Sequence, residues 1–403
     1  MVEIRLSITV LNKFLYNEIM ILIDFFASNI VSTLIPVNTF LPEEIFMMIS
    51  PRDLNTTAPS FLEEAIRSLY PKDNPVKFSF VQIDDSSLED IRAKLEYVID
   101  IRRDAMIYLN LSKSTEIMTI AGYSAGLEHD HVFPIYIDRR AMTIRDVQHG
   151  NAKMADIKHI DIDTYTIALG AKNVGNSRSL PLEEEYDSIC GMSEYIFDHL
   201  KTWHALCNYL AARYASTQPG EWFSIPKMLD YNNKSYDVEK MVNYFRSYHF
   251  LNEHDRKYSY PSARYKEYMT TYGEWLELYT YIKAKGVFSD VRLGYKIDWT
   301  SNDSNDTLDN EIDVFAVFKS EPCFISCKMT EPSTQDLNEV GYLARHLRGI
   351  EAHPVIVTTS RIREDSDLRY RVYNKFIRLS IGLIEVKDFK TRNAKNLFLS
   401  AIK

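Results

Sequence analysis

The chain has 403 residues, 45% of them apolar and 26% charged, with 47 Lys+Arg against 56 Asp+Glu and a net charge of −9. That length exceeds what one core usually serves, so two or three domains are expected. No run approaches the ~20 uninterrupted apolar residues of a membrane helix, so no membrane partner is expected.

The N-terminal stretch has charges inside its apolar pattern and no small-residue cleavage site, so it does not read as a secretory signal. The cysteines (Cys190, Cys207, Cys323 and Cys327) lack paired CxxC spacing, which points to free thiols in a reducing cytoplasm. Charge is uneven. Residues 269–403 hold 19 basic and 19 acidic residues, and the last 63 hold 13 basic and 6 acidic. Such a basic segment either tracks phosphates or solvates a helix.

In residues 1–163, apolar runs alternate with amphipathic stretches. "IMILIDFF", "EEIFMMIS", "AMIYLNL" and "HVFPIYID" read as buried strands. "SSLEDIRAKLEYVIDI", capped by Asp85 or Ser86, and "STEIMTIAGYSAGLEH" read as helices. Strands alternating with helices predict a parallel α/β sheet.

Residues 164–270 read as a connector. Ile196, Leu200, Trp203, Cys207, Leu210 and Tyr214 recur at steps of three and four, the face of one long helix. A shorter helix, "DVEKMVNYFRSYHFL", and a polar hairpin, "NEHDRKYSYPS", follow, which suggests a small winged-helix-like module.

Residues 271–403 open with a helix ending at Gly286, then a strand "VRLGYKIDW" and a polar loop "TSNDSNDTLDN". "NEIDVFAVFKSEPCFISCKMT" reads as a hairpin. A two-residue turn at Lys319–Ser320 places Asp313 opposite Ser326 and Glu311 opposite Lys328, all four on one face. Ile312, Val314, Ile325 and Cys327 take the other face. A helix from Ser333, a strand "PVIVTTS", a helix "LRYRVYNKFIRLS", a strand "LIEV" and a last helix complete an α/β region.

A carboxylate cluster beside a lysine permits two readings: a cross-strand ion pair, or metal-assisted phosphodiester cleavage with Glu277 as a third acid. Helix Glu277, strand Asp313 and strand-closing Lys328 stand in the order of the PD-(D/E)xK nucleases. "GEWLELY … NEIDVFAVF … CFISCKMT" resembles the branch fused to a CRISPR-associated Rossmann fold (CARF) domain, which includes the cyclic-oligoadenylate-activated endonucleases of type III CRISPR defence.

The resemblance implies catalytic Asp313, Lys328 and Glu277, with Mg²⁺ or Mn²⁺ held by Asp313, Glu277 and Glu311. Ser326 departs from the pattern, standing where Glu or Asp is usual, and Glu311 is the candidate to replace that charge. In the N-terminal half "FFASNIVSTLIPVN" and "YLNLSKSTEIM" occupy the positions of the family's ligand turns, which implies ligand contacts from Ser28, Asn29, Ser32, Asn110, Ser112, Lys113, Ser114 and Thr115. Lys113 and Ser114 replace the family's glycines, and Glu116 its lysine. Hydroxyls at a helix start also suit phosphate on physical grounds, while N-capping by Ser114 is the plain alternative.

The resemblance further implies a homodimer, cyclic tetraadenylate as activator, and a DNA or RNA substrate. A constitutive nuclease, or a nucleotide-sensing protein with a decayed nuclease site, remain the alternatives. Elsewhere "EHDH" (Glu128–His131) reads as a surface turn. Arg361, Arg363, Arg369, Arg371, Lys375 and Arg378 make up the basic patch.

Overall fold

The computed structural model describes residues 19–26, 29–299, 309–346 and 352–402. Ser28 and most of the polar loop after Trp299 lie outside the described residues.

The first sheet contains β1 (Met20–Phe25), β2 (Glu44–Ile49), β3 (Lys77–Gln82), β4 (Met106–Asn110), β5 (Val132–Asp138), β6 (Thr143–Asp146) and β7 (Lys153–Asp156), in the order β3-β2-β1-β4-β5-β6-β7. The pairs from β3 to β5 are parallel, and β6 and β7 continue antiparallel. The expected strands β1, β2, β4 and β5 are all present. β1 and β2 are buried along their whole length, which is why they read as unbroken apolar runs. Helix Leu88–Asp100 is capped by Ser87, whose Oγ accepts from Asp90 N at 3.2 Å, so neither Asp85 nor Ser86 is its cap.

Chain order reverses between β1 and β4. Ligands of open α/β sheets bind beyond the strand C-termini at such a switch point.

The second sheet has β8 (Lys172–Asn176) at one edge, although these residues were expected in the connector. Between β8 and the rest of this sheet, the chain forms two small hairpins, β9 (Met228–Tyr231) with β10 (Lys234–Asp237) and β11 (Asn252–His254) with β12 (Lys257–Ser259). β13 (Asp290–Asp298), β14 (Asp309–Phe318), β15 (Glu321–Lys328), β16 (His353–Thr358) and β17 (Gly382–Glu385) complete the order β17-β16-β15-β14-β13-β8.

The predicted long helix is two, Tyr186–Asp198 and Leu200–Tyr214. At the joint His199 Nδ1 bonds Tyr195 O at 2.8 Å, taking the carbonyl that a continuing helix would use for its own N–H. Trp203 from the second of these helices packs against Phe245 and Trp275, so the connector shares one core with helix Glu274–Lys285. The opposite face of the second sheet, through Tyr295, Phe315 and Phe324, joins the apolar cluster that contains β1, β2 and helix Ile162–Ala168. Arg139, just after β5, pairs with Glu321 at the start of β15, and His353 Nε2 bonds the other oxygen of Glu321 at 2.6 Å.

Candidate active site

The β14–β15 turn is the expected one. Lys319 and Ser320 both have positive φ (49° and 61°), as a two-residue type I′ turn requires. The ladder runs from Phe318–Glu321 to Val314–Ile325, the predicted register. There it stops, because Asp313 Oδ2 takes the Cys327 N–H at 2.7 Å and the Ser326 hydroxyl at 3.2 Å.

The strands part beyond that point, and the expected Glu311–Lys328 pair does not form. Glu311 sits in register with Lys296 of β13, and Lys328 Nζ bonds Asp336 Oδ1 at 2.9 Å. Ile312 does not share the face of Val314 either. Leu293 and Val314 pack toward helix Glu274–Lys285, whereas Tyr295 and Ile312 pack toward the first sheet. The change of face falls at Gly294, whose φ is +56°, and at Asp313.

This kink gathers the acids. One oxygen each from Glu277, Glu311 and Asp313 lie within 4.8 Å of one another. Glu277 is 6% exposed, on the first turn of helix Glu274–Lys285. Glu311 lines a cavity together with Asp313, Ser326, Lys328 and Tyr342. Burial raises the pKa of Asp313 and, reinforced by the charge of Asp313, that of Glu277. Burial opposes protonation of Lys328, but its hydrogen bond to Asp336 and the nearby Asp313 charge outweigh it and raise its pKa. Hard carboxylate oxygens this close, held partly away from water, suit Mg²⁺ or Mn²⁺.

Sequence reasoning missed two residues here. Arg178 enters from the segment after β8: its Nε donates to Glu277 Oε2 at 2.9 Å and lies 3.0 Å from Glu274 Oε2. Glu274 is fully buried, and burial, then the Glu277 charge, pushes its pKa up to about 8. "SRS" carries no periodicity that marks it as part of a site 99 residues before Glu277.

Residues 265–397 match the family described as the Card1-like endonuclease domain. No curated protein matches the chain by sequence. Among solved structures, protein VC1899 from Vibrio cholerae superposes with a TM-score of 0.74 at 15% identity, over 96% of this chain and 100% of that one. Can2 from Sulfobacillus thermosulfidooxidans, solved with cyclic tetra-adenylate, gives 0.64 at 13% identity over 95% and 99%. A type III CRISPR defence DNA nuclease activated by cyclic oligoadenylate gives 0.51 at 14% identity, over 84% of this chain and 45% of that one. At these identities the likeness is one of fold, an N-terminal α/β domain with a mostly parallel sheet joined to a second α/β domain, as expected.

The N-terminal turns meet at the switch point. Asp24 and Asn110 are register partners at the ends of β1 and β4, and Asn110 Nδ2 donates to Asp24 Oδ1 at 3.1 Å and to Ser32 O at 2.9 Å. Burial raises the Asp24 pKa to about 7. Asp24 was missed, although a lone acid inside "MILIDFF" was its signal.

Several predicted ligand residues build the loop instead of facing outward. Asn110 accepts from Ser112 N at 3.0 Å, Ser112 Oγ accepts from Ile137 N at 2.9 Å, and Ser32 Oγ donates to Asn29 O at 2.6 Å. Asn29 is also buried. Thr115, not Ser114, caps helix Glu116–Glu128, while Ser114 Oγ donates to Leu111 O at 2.9 Å. Lys113 has φ +62°, so the loop keeps a glycine-like backbone without a glycine. Lys113 and Thr115 are exposed there.

Of the basic patch, Arg361, Arg363 and Arg371 pair with Glu364, Asp388 and Asp367, and Lys375 donates to Thr334 Oγ1 at 2.6 Å. In the "EHDH" turn His129 and Glu128 bond Glu96 and Arg92. The cysteines are free thiols, and no described helix is long and apolar enough to cross a membrane.

Proposed function

We propose that this chain is an endonuclease of type III CRISPR defence, dependent on Mg²⁺ or Mn²⁺ and switched on by cyclic tetraadenylate. The observation that carries the catalytic half is the convergence of Glu277, Glu311 and Asp313 inside the segment that matches an endonuclease family. These three residues would hold the cation, which supplies positive charge to the scissile phosphate and lowers the pKa of a water.

The chain's own groups do the rest. The Cys327 N–H and the Ser326 hydroxyl fix Asp313 through Oδ2. Ser326 thereby orients a carboxylate in place of supplying one, and Glu311 restores the charge count. Lys328, held by Asp336, orients the attacking water and stabilises charge on the phosphate oxygens.

Activation is assigned to the exposed part of the 112–115 loop. Free N–H groups and hydroxyls at the start of helix Glu116–Glu128 favour phosphate, and Can2 is a fold neighbour solved with cyclic tetra-adenylate. Two such domains related by a two-fold would share one ring, and its binding would re-space the nuclease domains as rigid bodies. Plasmid, single-stranded DNA and RNA, each incubated with Mn²⁺ with and without cyclic tetra- and hexaadenylate, test this reading. Cleavage that requires both metal and the tetraadenylate supports it, and cleavage indifferent to every ring contradicts the activation half.

A further inference from the structure

Glu277 and Glu311 carry adjacent negative charge, yet Lys328 is engaged by Asp336. The cation on the two glutamates comes from outside the hairpin. Arg178 Nε donates to Glu277 Oε2 at 2.9 Å, and its Nη2 lies 3.4 Å from both Glu277 Oε1 and Glu311 Oε1. Its neighbour Ser177 donates to Glu311 Oε1 at 2.5 Å.

The same guanidinium is tied by charge to fully buried Glu274, 3.0 Å from Nε. Glu274 has no hydrogen-bond partner for either carboxylate oxygen among the described residues. The backbone is anchored as well, with Ser177 N donating to Gly294 O at 2.7 Å. A Cβ on Gly294 would lie 2.5 Å from Ser177 Oγ and 2.7 Å from Arg178 Cγ, so the glycine is what admits this segment.

We propose that Arg178 is a positioning residue for the metal-binding carboxylates, a cationic strut that holds Glu277 and Glu311 together in the absence of metal and orients them when metal is bound. The inference rests on the metal-dependent reading of this site. The geometry favours a strut over a plug. A plug would stand among all three clustered acids, whereas the contacts of Arg178 reach two of them and run outward to Glu274, which lies outside the cluster. Without the strut, Glu274, Glu277 and Glu311 lose the cation that contacts all three. Loss of such outer partners typically weakens metal binding by about 10–100-fold.

The strut also arrives on the segment that follows β8 and helix Ile162–Ala168. Tyr165 of that helix donates its hydroxyl to Ser320 O at the β14–β15 turn. The chain leaving the ligand-sensing domain therefore delivers the residue that sets the spacing of the acids.

The test is calorimetric titration of MnCl₂ into the full-length protein, its Arg178→Met and Arg178→Lys variants, and Asp313→Ala, with circular dichroism to confirm folding. The expected result is a site lost in Asp313→Ala and weakened about 10–100-fold in Arg178→Met. Arg178→Lys should fall between, because an ammonium supplies the charge but not the fork. If Arg178→Met does not fold, Arg178→Lys decides by the same readout. Mn²⁺ affinity equal to wild type in the folded Arg178 variants overturns the strut, and tighter binding overturns it and makes Arg178 a competitor of the metal. A wild type with no Asp313-dependent Mn²⁺ site overturns the metal reading itself, and the strut with it.

Discussion

Gly294→Ala perturbs the site without touching any functional side chain. Two costs can be separated. First, φ at Gly294 is +56°, and placing a Cβ in that left-handed region costs about 1–2 kcal/mol. Second, the new Cβ meets Ser177 Oγ at 2.5 Å and Arg178 Cγ at 2.7 Å, so the segment must retreat by roughly 1 Å to reach ordinary contact. That retreat takes the Arg178–Glu277 hydrogen bond, now 2.9 Å, beyond useful range and stretches the Ser177–Glu311 bond, now 2.5 Å, only to its limit. Losing one such charge-assisted bond costs about 1.5–3 kcal/mol.

Gly220→Ala is the control, because its φ is +86° and nothing lies within 4 Å of its Cβ position. It should show the backbone cost alone. Urea unfolding followed by tryptophan fluorescence suits both variants, since Trp203 and Trp275 are fully buried in the cluster next to the site. Gly294→Ala should be the less stable of the two by about 1.5–3 kcal/mol, and should need more Mn²⁺ for half-maximal cleavage. Equal stability of the two variants with unchanged metal demand would refute the reasoning about close approach.

Further outcomes follow from the same contacts. Glu311→Ala should abolish or severely reduce cleavage by removing one of three clustered carboxylates, while Ser326→Ala should retain most activity because the Cys327 N–H still holds Asp313. The reverse order in initial-rate assays would contradict the ligand set. The raised carboxylate pKa values fix a pH trend. Glu274, Glu277 and Asp313 bind protons more tightly folded than unfolded, so the stability they contribute is present below the unfolded value near ~4.5 and lost as pH rises toward ~8. In EDTA the Tm should therefore fall across that window and Mn²⁺ should raise it more at the upper end, and a flat or rising Tm in EDTA would contradict the burial of these acids. Lys113→Gly should stabilise the N-terminal domain by about 1 kcal/mol in thermal melts by relieving the left-handed lysine, and a destabilised variant would show that the lysine is needed there. Replacing Ser114 and Thr115 with Glu should repel phosphate at the helix start, and unchanged calorimetric affinity for cyclic tetraadenylate would move the ligand site elsewhere.

Much of this architecture was legible because it is written in local patterns. Buried parallel strands leave unbroken apolar runs, and the Lys319–Ser320 turn fixed a register by arithmetic alone. The pattern failed where side chains replace backbone bonds. Asp313 captures the Cys327 N–H and ends the ladder that would have brought Glu311 to Lys328. His199 captures Tyr195 O and divides a helix that the spacing reads as one. β8, "KNVGN", is exposed along its length and carries no alternation to betray a strand. Arg178 was invisible for the same reason, since its role comes from a partner strand and a glycine more than a hundred residues away. In the N-terminal domain the inward orientation of Asn110, Ser112 and Ser32 depends on packing that no spacing rule describes.

The central claim is one chain with two separable sites, a metal-dependent nuclease centre at Asp313 and a ligand loop at 112–115. The most direct measurement pairs cleavage with ligand binding in Asp313→Ala, using Mn²⁺ and cyclic tetraadenylate with wild type alongside. The account predicts ligand-dependent cleavage by wild type, none by the variant, and the same calorimetric affinity for cyclic tetraadenylate in both. Cleavage that survives in Asp313→Ala, or ligand binding that is lost from the folded variant, would contradict it.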